Sequence, residues 1–165
     1  MTTTRDDSVA VIGEDGTLRP NILIVDDRSE NLLAMETALR FVDADIVKAL
    51  SGQEALSLMM RHDFAVVLLD VQLPEMDGFE TATLIRDSKN TCHTPIIFVT
   101  AINEDEGNLF KGYEAGAVDV LFKPVNPMIL QSKVNVFLQI YRQQAELQVA
   151  RHVQPTSPKV NFWPT

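Results

Sequence analysis

The chain of 165 residues carries 14 Lys and Arg against 23 Asp and Glu, a net charge of −9. That excess of carboxylates argues against nucleic acid or an anionic membrane surface as the main partner, because both are held by clustered Lys and Arg. With 45% apolar and 22% charged residues, the composition is that of a globular protein long enough to bury one core.

Residues 1–20 hold no sustained periodicity and read as a flexible tail, without the apolar stretch of a signal peptide. Val9–Ile12, followed by a turn at Asp15-Gly16, is compatible with a short hairpin there. From residue 21 short apolar runs alternate with helical patterns. Ile22–Val25 is the first run. Leu32, Met35 and Leu39 then share a helix face. Ile46–Ala49 follows, and Ser51-Gly-Gln-Glu54 is a capping-box pattern ahead of Ala55, Leu58 and Met59. Met59-Met60 reads as core filling. The third run, Ala65–Leu69, belongs to the longest apolar stretch, Phe64–Leu69, whose six residues fall far short of the ~18 of a membrane span.

A third helix is predicted over Gly78–Asp87, with Asp77 as its cap and Gly78 chosen for free backbone angles. Cys92-His93 lies in the loop before the fourth run, Pro95–Val99. Cys92 is the only cysteine, which excludes an intrachain disulfide and a cysteine zinc cluster. Glu104–Ala115 reads as a fourth helix weakened by Gly107 and Gly112. Val118–Phe122 is the fifth run, and a long fifth helix spans about Asn126–Ala150. Its Leu130, Val134, Phe137 and Tyr141 suit packing on a sheet, and Ile129, Val136 and Ile140 form a neighbouring stripe fit for a second copy of the chain. Residues 143–165 extend that helix into a tail with Pro155, Pro158 and Pro164, which also carries Phe162 and Trp163.

Runs of four or five residues without polar alternation suit strands covered on both faces of a parallel sheet, and parallel strands need crossover helices. The expected fold is therefore a doubly wound α/β domain over residues 21–142: a five-stranded parallel sheet of flavodoxin-like order 2-1-3-4-5, with helices on both faces. The residues after each run are informative. Asp26-Asp27 follow the first, Asp70 the third, Thr100 the fourth and Lys123-Pro124 the fifth. Ligands of such folds bind beyond the carboxyl ends of the strands, where strand order reverses. Three carboxylates crowded there repel one another, which raises a pKa or recruits a cation. Oxygen ligands in a small cleft suit Mg²⁺. A carboxylate beside it can attack a phosphoryl group, with Lys123 and Thr100 positioned to stabilise the charge.

At these residues the chain resembles the receiver domain of bacterial two-component response regulators. The resemblance rests on Ile22-Leu-Ile-Val-Asp-Asp27, Leu68-Leu-Asp-Val-Gln-Leu-Pro-Glu-Met-Asp-Gly78, Phe98-Val-Thr-Ala101, Gly116-Ala117 and Lys123-Pro124. It implies a phosphoacceptor signalling switch rather than an enzyme with a separate substrate. Asp70 would accept the phosphoryl group, and Thr100 and Lys123 would contact it. Mg²⁺ would be held by Asp27, Asp70 and the Gln72 backbone carbonyl, with Asp26 in its shell through water. The resemblance further implies a cis Lys123-Pro124 bond and a sensor histidine kinase or histidine phosphotransfer protein as donor; with neither a membrane-length apolar run nor a signal-peptide pattern in the sequence, a soluble cytoplasmic protein is the expectation. Output would pass through protein contacts of the fourth helix, fifth strand and fifth helix. Val120 departs from the pattern, because many receivers carry Tyr or Phe three residues before the lysine; Phe122 lies on the same strand face. The chain is either a single-domain regulator or a receiver fragment of a longer protein. A phosphorylation-independent interaction module is the alternative reading; a Mg²⁺-dependent phosphatase lacks a second acid–base residue.

Overall fold

The apolar runs form five parallel strands: β1 (Asn21–Val25), β2 (Asp45–Ala49), β3 (Val66–Asp70), β4 (Ile96–Ala101) and β5 (Asp119–Lys123). Their order in the sheet is β2-β1-β3-β4-β5. The computed structural model describes residues 19–101 and 113–153. The hairpin considered at Val9–Ile12, most of the fourth predicted helix with Gly107 and Gly112, and the tail with Phe162 and Trp163 lie outside the described residues. Helices α1 (Ser29–Ala38), α2 (Gly52–Arg61) and α3 (Gly78–Asp87) are followed, after β5, by a C-terminal helix over Pro127–Val153. None of the helices among the described residues is long and apolar enough to cross a membrane.

Side chains alternate across each strand, so the sheet divides the core in two. Ile22, Ile24, Val66, Leu68, Ile97 and Val99 pack under α1 and the C-terminal helix. Leu23, Val25, Val67, Leu69, Ile96 and Phe98 pack under α2 and α3. Burial on both faces holds for the central β1, β3 and β4. The edge strands β2 and β5 are partly exposed, since each pairs on one side only.

Local signals set most boundaries. The Ser51 hydroxyl accepts from the Glu54 amide at 3.0 Å, and the Glu54 carboxylate accepts in return from the amide of Leu50, one residue before the cap, at 3.1 Å. The Asp77 carboxylate accepts from the Glu80 amide at 2.8 Å, which makes Asp77 the expected cap of α3.

Four expectations are corrected. Arg19 and Pro20 are not loose tail: the Arg19 guanidinium pairs with Asp43 and Asp45, and the Pro20 carbonyl accepts from the Asp45 amide. Met60 is 88% exposed although Met59 is buried, because consecutive helix residues point about 100° apart. Strand β4 continues through Thr100 to Ala101, held by pairing with Phe122 and Lys123 of β5. Gly78 is required for space and not for a positive φ, which among the described glycines occurs at Gly116. A Cβ on Gly78 would lie 2.2 Å from the Asp70 carbonyl oxygen.

Arg86, half-buried at the end of α3, ties three segments together. Its guanidinium donates to the carbonyls of Cys92 at 3.0 Å, Thr94 at 2.6 Å and Gly116 at 2.8 Å. It thereby fixes the approaches to both β4 and β5. Arg86→Met keeps the stem and strips these bonds from the three carbonyls. We expect a loss on the order of 2 kcal/mol, read as a lower urea midpoint with an unchanged slope.

Candidate functional site

The carboxyl ends of β1, β3, β4 and β5 converge because the strands are parallel and in register: Val25 is opposite Leu69, Asp70 opposite Val99, and Ala101 opposite Lys123. Asp26 and Asp27 directly follow β1, while Asp70 and Lys123 are the last residues of β3 and β5. Carboxylate oxygens of Asp26, Asp27 and Asp70 all lie within 4.8 Å of one another.

Each member of this cluster has a distinct environment. Asp26 is fully buried, and its two oxygens are taken up from opposite sides. One accepts from the Arg28 amide at 2.9 Å and from the Asn31 side chain at 3.2 Å. The other receives the Lys123 ammonium at 2.9 Å. Asp27 is exposed, and among the described residues no hydrogen bond to its carboxylate is seen. Asp70 is buried, receives Lys123 at 3.3 Å on one oxygen, and accepts from the Gln72 amide at 3.3 Å on the other.

The charges are mutually adjusted. Burial raises the Asp70 carboxyl above its ordinary pKa; the Lys123 charge opposes that and the Asp26 charge adds to it. Burial alone would lower Lys123. The hydrogen bond to Asp26 and the charges of Asp70 and Asp26 more than reverse that, so its pKa is raised and the ammonium persists at neutral pH. Thr100 is buried beside this cluster in the sheet order, and among the described residues its hydroxyl has no hydrogen-bond partner. An unpaired buried hydroxyl at a strand end is suited to an incoming oxygen.

The structure thus brings together Asp26, Asp27, Asp70 and Lys123, with Gln72 contributing an amide and Thr100 on the adjoining strand. The peptide bond Lys123-Pro124 is cis. Sequence reasoning missed Asn31, which holds Asp26 from the first turn of α1; its position five residues after Asp26 was the available signal. It also missed Glu75, which takes a positive φ of 68° in the loop after β3. Val120 is half-buried against the cluster that contains Phe98, whereas Phe122, on the same strand face, is exposed.

Three chemical properties make the site fit a hard divalent cation. It offers oxygen donors only, one carboxylate is free toward solvent, and two others are crowded and only partly neutralised by one ammonium. Asp27 and Asp70 would hold Mg²⁺ most directly, because Asp26 is fully buried with an amide and the ammonium each at 2.9 Å, whereas the two contacts to Asp70 are both looser, at 3.3 Å.

The family model of the response regulator receiver domain matches residues 22–135. The transcriptional regulatory protein SrrA of Staphylococcus aureus is 41% identical over 117 residues, covering 71% of this chain and 47% of that protein. A Vibrio cholerae protein named "Probable cyclic di-GMP phosphodiesterase" is 40% identical over 118 residues, 72% of this chain and 26% of its own length. The chain therefore spans about half or less of the curated relatives it matches. Among solved structures, the BeF3-activated receiver domain of DrrB superposes with a TM-score of 0.66 at 33% identity, covering 74% of this chain and 99% of that one. A second structure of the response regulator DrrB, an OmpR/PhoB homologue of Thermotoga maritima, gives a TM-score of 0.65 at 32% identity, over 76% of this chain and 55% of that one. By fold, by the converging strand ends and by these matches, the chain belongs to the response regulator receiver domain family.

Proposed function

We propose that the domain is a phosphoacceptor switch in which Asp70 takes a phosphoryl group from a partner histidine kinase or histidine phosphotransfer protein. The observation that carries this reading is the pairing of Asp70 with a half-buried ammonium that it shares with Asp26. An Asp70 carboxylate oxygen attacks phosphorus, the new P–O bond forms as the P–N bond to the donor imidazole breaks, and the electron pair leaves with the imidazole. Lys123 then has one more oxyanion to neutralise, and the unpartnered Thr100 hydroxyl gains an acceptor. Mg²⁺, held by Asp27, Asp70 and the Gln72 carbonyl, would supply positive charge to the transferring oxygens. Asp26 fixes Lys123 from below and stays in the outer shell of the metal.

Output through protein contacts and a cytoplasmic setting belong to the same proposal. The alternative, a phosphorylation-independent interaction module, is favoured by Val120, which has no ring to rotate behind Thr100. Against it stands the complete set of charged groups at the strand ends.

Incubation with a small-molecule phosphodonor and Mg²⁺ should add one phosphoryl group, seen by intact mass. Asp70→Asn should abolish the adduct, since an amide is not a competent nucleophile. Equal labelling of wild type and variant would refute the assignment.

For the metal, Asp27→Ala should weaken Mg²⁺ binding more than Asp26→Ala, about tenfold or beyond by titration, because Asp26 spends its oxygens on protein donors. The reverse ranking would exchange their roles.

The raised Asp70 pKa gives a stability prediction. The folded state holds the Asp70 proton more tightly than the unfolded chain, so stability falls as pH rises from the ordinary carboxylate pKa through the raised value. Asp70→Asn removes that penalty. In metal-free buffer the variant should melt a few degrees above wild type at about pH 7, and the gap should close toward about pH 4, measured by calorimetry.

A further inference from the structure

Asp26 does for helix α1 what a capping side chain does elsewhere. Arg28, the residue ahead of the helix, has an extended backbone and makes no capping bond with its own side chain. Its amide donates instead to one Asp26 oxygen at 2.9 Å. Asn31, the third residue of α1, occupies the position from which a capping-box side chain reaches back to that amide. Here the Asn31 side-chain nitrogen donates to the same Asp26 oxygen at 3.2 Å. The backbone beneath it is fixed, because the Asn31 amide donates to the Arg28 carbonyl at 3.1 Å.

The last torsion of an aspartate side chain is broad, so the partners of the carboxylate set the plane of the group. In Asp26 two neutral donors from α1 hold one oxygen, and the Lys123 ammonium holds the other at 2.9 Å. The ammonium stands closer to Asp26 than to Asp70, from which it is 3.3 Å away. We propose that Asn31 is a positioning residue that keeps Asp26 turned toward Lys123 and away from the metal, so that Lys123 leaves Asp70 open to attack phosphorus. The proposal rests on the phosphoacceptor reading above, and it adds the group that decides which aspartate serves the ammonium and which the cation.

The chemistry of the side chain suits that task. The cluster sets Asp26, Asp27 and Asp70 against the single ammonium of Lys123. A second cation at position 31 would neutralise Asp26 and release Lys123 to Asp70, covering the nucleophile. A carboxylate there would set lone pairs against lone pairs. A neutral donor saturates the oxygen and leaves the charge of the site unchanged, and its hydrogen bond competes with a metal for the same lone pairs. Asn31 is half-buried and, with Lys123, borders a cleft of about 580 Å³ between α1 and the C-terminal helix, so a changed side chain there meets open space rather than core.

Two variants of the whole chain separate positioning from mere support. Asn31→Ala deletes the donor. Asn31→Asp keeps the shape but, once ionised, can only accept, and an acidic residue in the first turn favours the helix. Mg²⁺ binding is measured by titration calorimetry without phosphodonor, and labelling by intact mass against time at saturating Mg²⁺. Positioning predicts opposite movements in Asn31→Ala: Mg²⁺ held about threefold more tightly or beyond, because Asp26 is freed for it, and labelling slowed about fivefold or beyond. Asn31→Asp should move both quantities the same way. A supporting residue would lose the two together in Asn31→Ala and would tolerate Asn31→Asp; either result overturns the proposal, as does unchanged Mg²⁺ binding. In an Asp26→Ala background, Asn31→Ala should leave Mg²⁺ affinity within about twofold, since its effect runs through that carboxylate. Tightening of the same size without Asp26 would equally overturn it. If wild type takes no phosphoryl group, the phosphoacceptor reading fails, while the magnesium measurements still decide the role of Asn31.

Discussion

One ammonium group organises this molecule. Lys123 reaches Asp26 across 97 residues of chain and Asp70 across 53, and it does so from the last position of an edge strand. Two buried carboxylates this close would drive one another to protonate or force the loops apart. A single cation between them holds three strand ends together and leaves a net negative charge at the mouth of the cleft. That residue of uncompensated charge makes the site receptive to a hard cation. The buried pairing gives little net stability, because desolvation consumes much of the attraction. Its effect is to place charged groups where chemistry can use them.

The sheet supplies the rest of the constraint. With β1, β3 and β4 central and covered on both faces, their apolar residues fix register without slippage, since a shift by one residue would turn Leu23 or Leu69 into the opposite layer. Register in turn fixes where each strand ends. The polar residues then emerge at the first positions that the helices no longer cover. The loop after β3 is pressed so closely against that edge that Gly78 has no room for a side chain: its amide donates to the Val71 carbonyl at 2.9 Å, and an added Cβ would fall 2.2 Å from the Asp70 carbonyl oxygen. A bulkier residue there would displace the acceptor strand itself.

How much of this could be read from residues alone divides by physical cause. The five apolar runs and most of the polar residues near their ends were legible, because a buried parallel strand has almost no compositional freedom; the strand order came with the flavodoxin-like fold class, which composition alone leaves open. The caps at Ser51 and Asp77 were legible for the same local reason. Interactions between distant segments were not. Nothing near Arg86 in the sequence points to the carbonyls of Cys92, Thr94 and Gly116, since a carbonyl acceptor is present at every residue. Gly78 was read as a backbone-angle glycine because crowding by Asp70 is a tertiary fact. Leu138, buried in the core, escaped the predicted stripe of the long helix because the observed face is wider than a single row of residues. Asp26 and Asp27 are adjacent and chemically identical. Only the fold separates a fully engaged carboxylate from a solvent-facing one.

The same geometry connects the site to the exposed apolar side of the C-terminal helix. Only Pro124, Val125 and Asn126 separate Lys123 from the first residue of that helix. Val125 packs against the core, and the Asn126 side chain accepts from the amides of Met128 at 2.9 Å and Ile129 at 3.3 Å. A capped helix start on so short a tether cannot shift freely relative to the strand end that feeds it. The two are also braced one turn on, where Lys133 pairs with Asp119 at the opposite end of β5. Strand β5 and the start of the helix are therefore tied at two places, with the shared ammonium at one end and Ile129, Val136 and Ile140 exposed along the outer side of the helix. Under the proposed phosphoacceptor reading, a change in how Asp26 and Asp70 divide Lys123 would act at the base of this tie, a route that uses no aromatic ring at position 120.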